Sequence, residues 1–427
     1  MSEIMKSELN TFGKLNYQMT IEKSSIIQIR PTTALNEGST IEFTINGSGK
    51  EYIDLQNIFI WIKGKVTKPD GTNFAAGEDN QFSMVNYGLN TMWDQCDIFL
   101  NGVLISQSSN THHYRSFIEV LTNYSAISSS TFLRSGGFIL QDPAAAVNSI
   151  NAYLSPITNQ SREFTLYGRL HGDIFNCDRL LMNNVEMRIV LNKAKFPLCM
   201  MIAENAAHEP KIKLNDVVLY VRKVQLDDNY ILANETILQM NKAIYLIKRT
   251  VVKELNLPAG QKTFVLDNVF MGQMPERLII GIVTHAAASG DYKKDPFAFE
   301  NNSLVYIQIH RNGESFPVTA YEPDYANNKY EREYYDFFLN QGATQTESAP
   351  NIQFADFKKI FCLYNFNFNA DFDNPKENEY INVLSNGFIN IELKFAANLV
   401  AALKCIVYAK FNNVIEIDSN RNVTVDY

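Results

Sequence analysis

A chain of 427 residues exceeds what one hydrophobic core usually serves, so two domains of roughly 200 residues each are expected. Hydrophobic residues at 46% and aromatics at 12%, with 28 Phe and 21 Tyr against 2 Trp, favour β-rich burial and argue against a disordered or coiled-coil chain. The formal charge of −8 argues against a sequence-independent grip on nucleic acid, which rests on Lys and Arg neutralising phosphates.

Residues 1–18 lack apolar periodicity and balance Lys6 and Lys14 against Glu3 and Glu8, which reads as an N-terminal arm that orders on assembly. No basic region followed by an apolar run marks a signal peptide, and no stretch approaches the roughly 18 apolar residues of a membrane span. From residue 19 to 225 the recurring signal is alternation with period two. TIEFTI (Thr40–Ile45), QNIFIWIKGKV (Gln56–Val66), DIFLNGVLIS (Asp97–Ser106), VEMRIVL (Val185–Leu191) and DVVLYVRKV (Asp216–Val224) read as strands of a first domain. Residues 226–241, around DDNYILANETILQM, read as a linker with a short helix. Residues 242–427 supply a second set: AIYLIKRTVV, KTFVLDNVF, RLIIGIV, SLVYIQIH, FINIELKF and LKCIVYAKF.

Five landmarks recur in the two halves in the same order, as a tandem repeat requires. LNEGSTIEFTI is echoed by LPAGQKTFVLD, with Gly38 and Gly260 before extended runs. IFIWIKGKV from Ile58 is echoed by RLIIGIVTH from Arg277. Two hairpins close on Asn101-Gly102 and Asn312-Gly313, the dipeptide that suits a type I′ turn because both central residues need φ > 0. After each hairpin comes one helical pattern, HYRSFIEVLTNY (His113–Tyr124) and KYEREYYDFFLNQG (Lys329–Gly342), and each half closes with two strands. The expected fold class is all-β: two tandem eight-stranded antiparallel jelly-roll sandwiches with a short helix in each half.

Chemistry is concentrated in FTLYGRLHGDIFNCDRLLMNNVEMRIVLNKA (Phe164–Ala194), which packs His171, Asp173, Cys177, Asp178 and Arg179 together. A thiol nucleophile would need Cys177 beside a His and an orienting group. The favoured reading is structural: the segment crosses between strands, Asp173, Asp178 and Arg179 form buried or interface ion pairs, and Asn183-Asn184 is the turn into VEMRIVL. Adjacent His112 and His113 splay apart whether extended or helical, which argues for polar surface over a metal site. DFDNPKENE (Asp371–Glu379) resembles a calcium loop but lacks the sixth-position Gly and reads as a solvated loop. Cys96, Cys177, Cys199, Cys362 and Cys405 are odd in number, form no CxxC and lie in apolar segments, so reduced buried thiols are expected. No catalytic, cofactor-binding or metal-ligating residue is assigned, and no cofactor is expected. Residues 64–88, 128–164 and 340–357 read as long outward loops.

RPTTALNEGSTIEFTINGSGKEYIDLQNIFIWIKGKV (Arg30–Val66), DIFLNGVLISQSSNTHHYRSFIEVL (Asp97–Leu121), YGRLHGDIFNCDRLLMNNVEMRIVL (Tyr167–Leu191), VFMGQMPERLIIGIV and GDYKKDPFAF resemble the major capsid protein of Maverick/Polinton-type elements and adintovirus-like viruses. The resemblance implies a double jelly roll that trimerises into a pseudo-hexagonal capsomer and walls an icosahedral shell around double-stranded DNA. It also implies a non-enzymatic structural role and a single-jelly-roll vertex protein as partner, with a maturation protease and a packaging ATPase. The location implied is the virion capsid, after synthesis in the host cytoplasm and assembly in the nucleus. The competing class is a cytosolic β-sandwich carbohydrate-binding protein, which needs an aromatic platform, or a cupin-like enzyme, which needs a His-rich metal cluster.

Overall fold

The computed structural model of the chain describes residues 17–35, 38, 40–75, 81–106, 109–139, 148–149, 154–204, 206–344, 349–350, 352–369 and 382–426. Most of the expected arm and the whole 371–379 loop lie outside the described residues, as do parts of the three long loops.

The first half forms β1 (Ile21–Ile29), β2 (Ile41–Ile45), β3 (Glu51–Thr67), β4 (Phe82–Met84), β5 (Trp93–Leu100), β6 (Val103–Leu104), β7 (Glu163–Arg169), β8 (Met187–Lys193), β9 (Met200–Ile202) and β10 (Lys211–Leu226). Eight of these build two four-stranded sheets, β1-β10-β3-β7 and β2-β8-β5-β6, while β4 and β9 pair separately. Period-two patterning sets which faces meet. Along β2 the residues Ile41, Phe43 and Ile45 are fully buried while Glu42 and Thr44 are half-buried, and β8 alternates likewise through Met187, Ile189 and Leu191. These side chains share one core with Ile58, Ile60 and Ile62 of β3 from the opposite sheet.

The second half forms β11 (Ala243–Leu257), β12 (Thr263–Gln273), β13 (Arg277–Thr284), β14 (Leu304–Arg311), β15 (Glu314–Tyr321), β16 (Leu363–Asn367), β17 (Asn386–Phe395), β18 (Leu403–Ile417) and β19 (Val423–Asp426). Its two sheets run β11-β18-β13-β16 and β12-β17-β14-β15, with β19 added beside β18. Replacing each strand by its counterpart in chain order turns the first pair of sheets into the second, so both halves are eight-stranded antiparallel jelly rolls. The repeat extends to the hairpin turns. Asn101 (φ 45°) and Gly102 (φ 80°) match Asn312 (φ 53°) and Gly313 (φ 86°). In each turn the Asn Oδ1 accepts a backbone N–H from the neighbouring segment, Glu186 at 2.8 Å or Phe388 at 2.9 Å.

The two expected helices appear as His112–Asn123 and Glu331–Leu339, between the fifth and sixth strands of each eight-stranded roll. The linker carries a helix, Asp228–Leu238, whose N-cap Asp227 accepts the amides of Asn229 and Tyr230. Helix content exceeds one per roll: six further α-helices of four or five residues and three short 3-10 helices occur among the described residues, all in connections. Asn184 takes a left-handed conformation (φ 58°), as the expected turn before β8 requires.

Candidate functional site

The rolls do not merely abut. Helix 112–123 belongs by sequence to the first roll, yet Tyr114, Phe117, Ile118, Val120 and Leu121 pack into the core of the second. Phe117 stacks on Phe297 with ring centroids 4.6 Å apart. In return Tyr245 and Ile247 of β11 and Ile415 and Ile417 of β18 join the core of the first roll. An amphipathic helix spaced at i, i+3, i+4 thus acts as the wedge between two sandwiches.

At the polar face of this wedge lies a buried network. Arg115 donates through Nε to Glu119 Oε1 at 3.1 Å, one helical turn on, and through Nη2 to Asp173 Oδ1 at 2.7 Å. Asp173 Oδ1 also accepts the backbone N–H of Thr250 on β11 at 3.0 Å. Glu119 Oε2 lies 2.5 Å from His171 Nδ1, whose Nε2 is 2.9 Å from the Tyr87 hydroxyl. Tyr408 of β18 donates to Glu119 Oε1 at 3.3 Å. Both rolls therefore contribute hydrogen bonds to one charged cluster.

Its electrostatics follow from desolvation set against pairing. Burial opposes the charged form of Glu119, but the Arg115 guanidinium and the His171 bond outweigh it and hold the carboxyl below the usual range. For Arg115 burial is likewise outweighed, by Asp173 and Glu119, and its charge is reinforced. Asp173 moves upward: burial dominates, Glu119 repels it, and its Oδ2 has no hydrogen-bond partner. The cluster is shaped to hold charge between the rolls, because each carboxylate is tied to backbone or side chains of both.

Of the residues singled out in the sequence, the structure places His171 and Asp173 in this network and leaves the others elsewhere. Cys177 is buried, and the bonds His171 makes run to Glu119 and Tyr87, so the His–Cys arrangement is not formed. Asp178 and Arg179 are exposed. Arg179 donates to the Ile244 backbone carbonyl at the roll boundary. His112 and His113, read as polar surface, are instead buried at 5% and 1% exposure. They begin the wedge helix, where His113 packs against Tyr114 and Phe297. Phe164 to Arg169, read as part of a crossing, lie in β7. All five cysteines are buried thiols outside any disulfide, and burial pushes those of Cys96, Cys362 and Cys405 up to about 12. No group of three His, Cys, Asp or Glu among the described residues is placed to hold a metal ion. Arg115, Glu119, Tyr87 and Tyr408 were missed. One signal was available: Arg115 and Glu119 stand four apart on the polar face of an amphipathic helix, where an ion pair is expected.

Two rolls of one strand order, in tandem and each lending residues to the other's core, define a double jelly-roll protein. No protein-family model matches the chain. In Caenorhabditis elegans, "Uncharacterized protein F54H12.2" is 21% identical over 426 residues, covering 96% of this chain and 98% of that protein. Among solved structures, the chain is similar to PBCV-1 VP54 as fitted into the virophage Sputnik, with a TM-score of 0.60 and 12% identity over 97% of this chain and 99% of that one. The Sputnik virophage structure gives 0.61 at 10% identity, covering 100% and 93%, and the mavirus major capsid protein 0.56 at 10%, covering 100% and 96%. At such identities the likeness is one of fold.

Proposed function

We propose that this chain is a major capsid protein of the Maverick/Polinton and adintovirus-like group, that it trimerises into pseudo-hexagonal capsomers, and that these tile an icosahedral shell around double-stranded DNA. The observation that carries the reading is the repeat itself. Two rolls with the same strand order give each chain two similar wedges, and three chains under closed threefold symmetry give six. Residues 19–225 and 242–427 are the two wedges, 226–241 the link, and 1–18 an arm. The shared core and buried network support rigid coupling of the wedges, which a shell tile needs. The role is structural rather than enzymatic, the partners are further copies and a single-jelly-roll vertex protein, and the site of action is the virion capsid after assembly in the nucleus.

Light scattering on the purified protein should give three times the 48.6 kDa chain mass, with hexagonal outlines in negative stain. A monomer at every concentration tested would overturn the reading.

A carbohydrate-binding reading has one observation in its favour, a cleft of about 240 Å³ lined by Phe59, Tyr124, Phe132, Tyr167 and Arg169. Glycan titration followed by tyrosine fluorescence tests it, with loss of signal in Tyr167→Ala as the supporting outcome.

A further inference from the structure

A second buried polar cluster lies in the second roll. Lys248 and Asn412 are direct cross-strand partners in the β11–β18 ladder, which runs without a register shift from Ala243↔Ile417 to Leu257↔Leu403. Directly opposed residues of an antiparallel pair have Cβ atoms about 4.5–5.5 Å apart on one face. Here the side chains meet: Lys248 Nζ is 2.6 Å from Asn412 Oδ1 and 2.5 Å from Glu276 Oε2. Glu276 is fixed by its own backbone, whose N–H donates to Lys410 O and whose carbonyl accepts from Phe368, both at 2.8 Å. Lys248 and Asn412 are 7% and 6% exposed, and no other lysine–carboxylate pair among the described ion pairs is as deeply buried.

We propose that Lys248, Asn412 and Glu276 form an autocatalytic isopeptide bond between β11 and β18. Glu276 Oε2 takes a proton from the Lys248 ammonium. The freed lone pair attacks Asn412 Cγ and a C–N bond forms. A further proton passes from the attacking nitrogen, through the Glu276 carboxyl, to the amide nitrogen. The Cγ–Nδ2 bond then breaks and ammonia leaves. The site ends as a secondary amide beside a neutral Glu276 carboxyl, so no oxidant or co-reactant is needed. The ladder supplies the proximity that makes an amine and an unactivated amide react. Burial excludes the water that would compete and favours exchange of an ion pair for neutral, hydrogen-bonded groups. The product would covalently close the 164-residue span between β11 and β18, stapling the second roll through its longest strand pair. This inference goes beyond the capsid reading and does not depend on it.

Intact-mass spectrometry of the denatured full chain tests it. The wild type should lie about 17 Da below the mass of Glu276→Gln after allowance for the substitution, the loss of one ammonia. A tryptic digest should contain one branched peptide joining Lys248 to Asn412, with no cleavage after Lys248. Succinimide formation at Asn101-Gly102 or Asn312-Gly313 also releases ammonia, but it would persist in Glu276→Gln and give no branched peptide. A wild-type chain at full mass, or cleaved normally after Lys248, overturns the proposal. Because both decisive readings are made on the wild type, they hold even if a variant fails to fold.

Discussion

Arg115 is the residue on which the junction turns, since its guanidinium pairs with both buried carboxylates, Glu119 and Asp173. Removing one partner of a buried ion pair strands the others in a medium that solvates them poorly. Arg115→Ala should therefore cost about 3–5 kcal/mol, read as a lowered denaturant midpoint. A loss below about 1 kcal/mol, the scale of exposed pairs, would show that water reaches the site. His112 gives a pH signature. Burial first, then the positive neighbours Arg115 and His171, hold its imidazole well below the ordinary value, against the attraction of Glu119. The unfolded chain takes up a proton near pH 6.5 and the folded chain does not, so stability is present above that pH and is lost as pH falls below it. The slope for one such proton is about 1.4 kcal/mol per pH unit. Melting curves between pH 7 and 5 should show it in the wild type and show a shallower fall in His112→Gln.

At the scale of elements, two kinds of glycine separate backbone strain from crowding. Gly102 and Gly313 occupy the second turn position at φ 80° and 86° with nothing within 4 Å of a built Cβ, so Val there meets only conformational strain. Each Val substitution should cost about 1–3 kcal/mol and reduce soluble yield. Gly281 in β13 is the converse: a Cβ would stand 2.4 Å from Phe299 Cδ1 and 2.7 Å from Leu363 Cδ2. Gly281→Ala should destabilise by about 1–3 kcal/mol through overpacking, and Gly281→Ala combined with Phe299→Leu should recover part of that loss in the same melt. Strands with clean alternation were legible, and their ends shifted by a few residues. β1 was not: IEKSSIIQI is exposed on both faces over most of its length and exists through its pairing with β10. β15 contains Pro317, which weakens any strand reading, and survives as a sheet edge where a missing N–H costs least. β16 is the opposite case, buried at all five residues, so it shows no alternation to detect.

For the whole molecule, the wedge helix decides whether the two rolls melt together. Phe117→Ala removes a fully buried ring stacked between them, a loss of about 3–5 kcal/mol. Calorimetry should show one transition in the wild type and two in this variant, because the apolar face of the helix carries most of the contact between the rolls; a single transition at lowered temperature would show that the polar network suffices to couple them. Fold class, the repeat and the hairpin turns were fixed by sequence, because periodicity and Asn-Gly geometry are local properties that act within a few residues. Tertiary structure alone decided which charges meet. Arg115 reaches Asp173 across 58 residues, Tyr408 reaches Glu119 across 289, and His113 is buried with its ring against Phe297 of the second roll. Pairings of that span depend on how the sheets close on one another, and no local pattern encodes that.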